Sequence, residues 1–137
     1  MNNKKILVVE DNADVRLGYH VLLKAHGYET YFAADSLSAI SEARKHQPDL
    51  VILDLGLPAG DGFVVMERFR LNTYLALIPV IVVSARDARG NKERALKAGA
   101  KAFLQKPWND SQLLAEIARH IGDAAPAPGK RASRTSA

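Results

Sequence analysis

Short apolar runs and amphipathic stretches alternate five times along the chain. Residues 5–10, Lys-Ile-Leu-Val-Val-Glu, predict a first strand that is apolar and ends acidic. Asn12 is placed to cap a helix whose Val15, Tyr19, Leu22 and Ala25 recur at helical spacing, and Gly27 stops it. Residues 28–33, Tyr-Glu-Thr-Tyr-Phe-Ala, form a shorter and more polar run suited to a sheet edge. A helix from Ser36 carries Ala39, Ile40 and Ala43 on one face and ends before Pro48. Leu50 to Leu53 have no polar break, the signature of a strand buried on both faces. That run ends on Asp54, and Gly56, Pro58, Gly60 and Gly62 then turn the chain.

The second half repeats the scheme. A helix at 61–71 presents Phe63, Met66 and Phe69. Pro79 opens Val80-Ile81-Val82-Val83, which ends at Ser84. Residues 87–98 predict a helix closed by Gly99, and Ala102-Phe103-Leu104-Gln105 a fifth strand followed by Lys106-Pro107. The last helix starts near Asp110, turns Leu113, Leu114, Ile117 and Ile121 inward, and stops at Gly122. Helical crossovers between strands require a parallel sheet with helices on both faces, so the fold class is α/β, doubly wound.

Composition changes this picture little. At 137 residues the chain suits one domain, and 47% apolar residues supply a core. With no cysteine there is no disulfide framework and no thiolate metal site. No apolar run approaches the roughly 20 residues that span a bilayer. Met1 to Lys5 lead straight into a strand without a signal sequence, so a cytoplasmic location is expected, with no membrane partner. The net charge of +4 hints at nucleic acid, but Lys130, Arg131 and Arg134 lie in the last eight residues. Without them sixteen bases face fifteen acids, so the basic character is assigned to the tail and direct DNA binding is not expected. Residues 123–137, rich in Ala, Pro and Ser, read as a disordered basic tail or linker after a domain at 1–122.

The chemistry lies where the strands end, which is where open α/β sheets bind ligands. Strand one offers Glu10 and Asp11, strand three Asp54, strand four Ser84 and strand five Lys106. Two like charges about 5 Å apart repel by about 3 kcal/mol at an effective dielectric of roughly 20, so such a cluster calls for a cation. All-oxygen ligation favours Mg²⁺ over zinc. A carboxylate between Mg²⁺ and a lysine is equipped to attack phosphorus and hold an aspartyl-phosphate. Each residue alone has an ordinary explanation as a cap, a turn residue or a solvated cation; their joint placement does not. The four histidines, His20, His26, His46 and His120, fall within or near helices and away from this rim. Trp108 is expected to pack over the start of the last helix.

Val-Glu-Asp-Asn at 9–12, Asp-Leu-Gly-Leu-Pro-Ala-Gly-Asp-Gly at 54–62, Val-Ser-Ala at 83–85, Ala-Gly-Ala at 98–100 and Lys-Pro at 106–107 occur in a telling order. Over roughly residues 4–122 the chain resembles a receiver domain of a two-component response regulator. The resemblance implies a flavodoxin-like sheet of order 2-1-3-4-5 with five helices. It implies that Asp54 accepts a phosphoryl group from a sensor histidine kinase or phosphotransfer protein. Asp11, Asp54 and the carbonyl of Gly56 would hold Mg²⁺, with Glu10 acting largely through water. Lys106 would pair with the phosphoryl group, Ser84 would donate to it, and Phe103 would be the switch aromatic that moves inward. Gly56 and Arg86, two residues beyond Asp54 and Ser84, would set the phosphoryl lifetime. The Lys106–Pro107 bond would be cis. Output would pass through the helix at 87–98, the strand at 101–105 and the last helix to an unknown target, as a monomer or a phosphorylation-dependent dimer. Two departures stand out: Glu10 where many members carry Asp, and Phe103 in place of Tyr.

Other functions fit less well. A phosphohydrolase of the haloacid dehalogenase type needs a second Asp two residues past its nucleophile, where this chain has Gly56. Flavin or nucleotide binding needs a glycine- or hydroxyl-rich loop after strand one, where Glu10-Asp11-Asn12-Ala13-Asp14 would repel phosphate. The expectation is therefore a signalling switch whose chemistry stops at self-phosphorylation and autodephosphorylation. A stand-alone receiver is expected over the N-terminal receiver of a longer regulator or hybrid kinase.

Overall fold

The computed structural model describes residues 3–57, 62–85 and 88–122. Strand β1 spans Lys5–Val9, β2 Glu29–Ala33, β3 Leu50–Leu53, β4 Val80–Ser84 and β5 Ala102–Gln105. Helix α1 spans Ala13–Ala25, α2 Ser36–His46, α3 Gly62–Arg70, α4 Ala88–Lys97 and α5 Asp110–Ile121. All strand pairs are parallel, as the helical crossovers predict, and their order is β2-β1-β3-β4-β5, as the family resemblance implies.

Alternation along each strand divides the core in two. Leu7, Val9, Val51, Leu53 and Val82 face α2, α3 and α4, where Ala39, Met66, Phe69 and Ala95 meet them. Ile6, Val8, Leu50, Ile52 and Ile81 face α1 and α5, where Tyr19, Leu23, Leu113 and Ile117 meet them. The central strands bury both faces, and β2 lies at an edge and is mostly half-buried. This is why β2 reads as more polar than its neighbours.

Several boundaries and faces differ from the sequence reading. Leu23 is fully buried and Ala25 exposed, because Leu22 and Leu23 lie three and four residues past Tyr19 on one face. Tyr28 is not in β2; its N–H donates to the Leu23 carbonyl at 3.0 Å. A 3₁₀ turn at Leu75–Leu77 precedes β4, held by Asn72, whose Oδ1 accepts from Tyr74 N and Leu75 N. Helix α4 is kinked near its start, where Gly90 takes φ +75°, a conformation that L side chains rarely adopt. Trp108 contacts the start of α5, with Nε1 donating to Asp110 at 2.9 Å, but its ring stacks on Tyr19 of α1, 4.3 Å between centroids. The Lys106–Pro107 bond is cis.

Candidate functional site

Parallel pairing puts the carboxyl ends of all five strands at one edge, so the residues that follow β1, β3 and β5 meet there. Asp54 leaves β3 with its N–H on the Val9 carbonyl at 3.0 Å, in register with the end of β1. Glu10 continues the β1 ladder, its N–H bonded to Ala33 O at 2.9 Å. Lys106 N–H donates to Ser84 O at 2.8 Å, which fixes the β5 exit against the last residue of β4. The backbone thereby aims three carboxylates and one ammonium at a common point.

Glu10, Asp11 and Asp54 each offer an oxygen within 4.8 Å of the others. Glu10 is 2% exposed and Asp54 8%, while Asp11 faces solvent. Lys106 Nζ reaches Glu10 Oε1 at 2.6 Å and Asp54 Oδ2 at 3.3 Å. Asp54 Oδ1 accepts from the Gly56 N–H at 3.0 Å, and Glu10 Oε2 from the Asn12 N–H at 3.2 Å. Burial pushes the Glu10 carboxyl above its usual range despite the Lys106 and Asn12 hydrogen bonds, and the Asp54 charge adds to the rise. Burial opposes the charge on Lys106, but its bonds to Glu10 and Asp54 outweigh that and raise its pKa. Glu10 is tied directly to the lysine.

The donor set is all oxygen, clustered and partly buried, and carries more negative charge than one ammonium offsets. That combination fits Mg²⁺. Ser84 is fully buried at the end of β4. Phe103 is 9% exposed and packs within the α2–α4 side of the core. Arg86 lies outside the described residues, as do Pro58 to Asp61. The histidines stay away from the rim: His20 bonds Thr30, His26 the Leu22 carbonyl, His46 stacks on Tyr31, and His120 lies beside Glu116.

Three contributors were not singled out from the sequence. Arg16 Nη1 donates to the Glu10 carbonyl at 2.8 Å and anchors the corner that carries Glu10 and Asp11. Its place one helical turn past Asn12 was the available signal. Gly62 N–H donates to Leu55 O at 2.8 Å and brings α3 onto the chain just after Asp54. Tyr19 lies close enough that, after burial, the charges of Glu10 and Asp54 help push its hydroxyl pKa up, so it stays neutral.

Comparison with known proteins agrees with this geometry. The family model of the response regulator receiver domain matches residues 6–118. The polar-differentiation response regulator DivK of Brucella anthropi is 35% identical over 121 residues, 88% of this chain and 98% of that protein. Among solved structures, the receiver domain of sensor histidine kinase PA1611 from Pseudomonas aeruginosa, with magnesium coordinated in its active site cleft, is 29% identical. It aligns at a TM-score of 0.81 over 89% of this chain and 100% of that one. Chemotaxis response regulator CheY4 of Vibrio cholerae aligns at 0.81 with 28% identity, over 88% of this chain and 100% of that one.

Proposed function

The chain belongs to the response regulator receiver family of two-component signalling, and from that premise we propose that it is a switch phosphorylated on Asp54. The observation that carries this is the Asp54 carboxylate itself. It is nearly buried at a strand end, with Lys106 Nζ at 3.3 Å and two further carboxylates grouped around it. Glu10 shares the cluster but already bonds Lys106 at 2.6 Å and the Asn12 N–H at 3.2 Å, so the family resemblance assigns the acceptor role to Asp54.

In this reading the donor is the phosphohistidine of a sensor kinase or phosphotransfer protein. An Asp54 oxygen attacks phosphorus in line, the P–N bond breaks, and the imidazole leaves after taking a proton. Asp11, Asp54 and the Gly56 carbonyl would hold Mg²⁺, with Glu10 acting largely through water. Bound magnesium supplies positive charge against the phosphoryl oxygens. Lys106 gives up its contact with Asp54 to pair with the incoming group. Ser84 donates to the same group from β4, and Phe103 couples that shift to β5. The altered surface is α4–β5–α5, where a downstream protein binds. In this reading the receiver unit ends at Gly122, and Gly56 and Arg86 modulate the phosphoryl lifetime. No helix among the described residues is long and apolar enough to cross a membrane, and a cytoplasmic site of action belongs to this reading as an expectation of its own.

Incubation with a small-molecule phosphodonor and Mg²⁺ should add one base-labile phosphate to the wild type. Asp54→Asn should add none, because an amide is a poor nucleophile. Intact-mass measurement reads both, and undiminished labelling of the variant would move the acceptor elsewhere.

A further inference from the structure

The sequence assigns the basic character of the chain to its tail, but the fold concentrates a second positive region. Helices α3 and α4 carry Arg68, Arg70, Arg89, Lys92, Arg94 and Lys97 against Glu67 and Glu93. The remainder of residues 1–123 holds ten bases against thirteen acids, so the near-neutral total hides a dipolar distribution. Between the two helices runs an open groove of about 720 Å³. Phe63, Val64 and Ala98 supply its apolar lining, with Val64 39% exposed.

Charge along this groove is only partly neutralised. Arg70 pairs with Glu67 at 2.5 Å, and Lys97 with Glu93 at 3.2 Å. Among the described residues, neither Arg68 on α3 nor Arg94 on α4 has a carboxylate partner, and both are exposed. The Arg94 guanidinium lies 3.7 Å over the Phe63 ring. That stacking holds a planar cation in place on a residue that stays exposed, so less freedom is lost when a carboxylate arrives.

We propose that the α3–α4 groove is a docking site for an acidic segment of a partner protein, with carboxylates on Arg68 and Arg94 and an apolar side chain against Val64 and Ala98. The occupant follows from charge complementarity. The chain's own end, with Lys130, Arg131 and Arg134, is repelled by the same cations. Nucleic acid suits the groove less well, since Val64 and Ala98 in its lining match an apolar side chain and offer nothing to a phosphate backbone. The surface is distinct from the phosphoacceptor, and its test uses unphosphorylated, metal-free protein, so its failure leaves the Asp54 reading untouched.

The probe is a short fluorescein-labelled peptide of alternating Glu, Asp and Leu, followed by anisotropy at low salt. Wild type should bind saturably and more weakly as salt rises. Arg68→Glu with Arg94→Glu should weaken binding at least about tenfold. Lys24→Glu with Arg44→Glu, the same charge change on α1 and α2, should cost less than about twofold. Circular dichroism checks folding of both pairs; should the groove pair be unfolded, Arg94→Gln alone should still weaken binding measurably. Amide shifts on titration should centre on Val64 and Ala98. The proposal is overturned by absence of saturable binding, by equal loss in both charge-reversed pairs, by shifts centred on α1 and α5, or by a short DNA duplex that displaces the peptide from the same cations.

Discussion

Two glycines near Asp54 look alike in the sequence and differ sharply in the fold. A Cβ at Gly56 would lie 3.7 Å from Asp54 Oδ1, an ordinary contact, so position 56 has room for a side chain beside the carboxylate. A Cβ at Gly62 would lie 2.7 Å from the Asp54 carbonyl and 2.8 Å from Leu55 Cα. Both are backbone atoms of the segment that presents Asp54, and they cannot yield as a flexible side chain does. Gly62→Ala should therefore cost about 1–3 kcal/mol of stability, the range of overpacked sites, and slow phosphorylation because Asp54 must shift. Urea denaturation and the labelling rate measure the two effects. Unchanged stability and rate would mean that α3 can retreat without moving Asp54.

At the scale of elements, helix ends rather than helix interiors fix the frame. Helix α2 begins with a capping box: Asp35 Oδ1 accepts from Ser38 N and Ser38 Oγ, each at 2.8 Å, while the Asp35 N–H donates to Ser38 Oγ. The Ser38 N–H, then its hydroxyl, hold the Asp35 carboxyl below the usual carboxylate range. A group with a lowered folded pKa stabilises the fold above its unfolded pKa, and the contribution disappears as pH falls through the folded value. Asp35→Asn keeps an N-cap oxygen but cannot titrate. The melting temperature of wild type should exceed that of Asp35→Asn at neutral pH, and the gap should close as pH drops below about 4. A gap independent of pH would show that the ionised carboxylate adds nothing to the cap. Trp108 acts at the same scale, joining α1 to the start of α5 through Tyr19 and Asp110.

Considered as a whole, the molecule gathers Glu10, Asp11 and Asp54 at one edge of the sheet against the single ammonium of Lys106. The unbalanced charge is carried by the folded state and is dispersed on unfolding, so a cation that binds this edge stabilises the fold by mass action. Mg²⁺ at a hundred times its dissociation constant should add about 2.7 kcal/mol to the unfolding free energy, and a chelator should remove it. Asp11→Asn should respond less, since it lacks one ligand charge. Thermal melts across a Mg²⁺ series check this, and an equal response of the two proteins would exclude Asp11 from the metal site.

Local pattern determined most of the architecture. Apolar runs such as Leu50–Leu53 and the helical spacing of Phe63, Met66 and Phe69 are properties of neighbouring residues, and they carry the strands, the helices and the parallel direction, while the strand order is what the family resemblance implies. The strand-end rule then places Glu10, Asp11, Asp54 and Lys106 at one edge from the sequence alone. Tertiary structure decided what depends on groups distant in the chain. The Lys106–Glu10 contact spans 96 positions, and the Arg94–Phe63 stack joins two helices. The stacking of Trp108 on Tyr19, the inward setting of Phe103 and the demand for glycine at 62 are likewise invisible to periodicity. Periodicity reports which side of an element faces inward, whereas distance between elements is fixed when the two core layers close on the sheet.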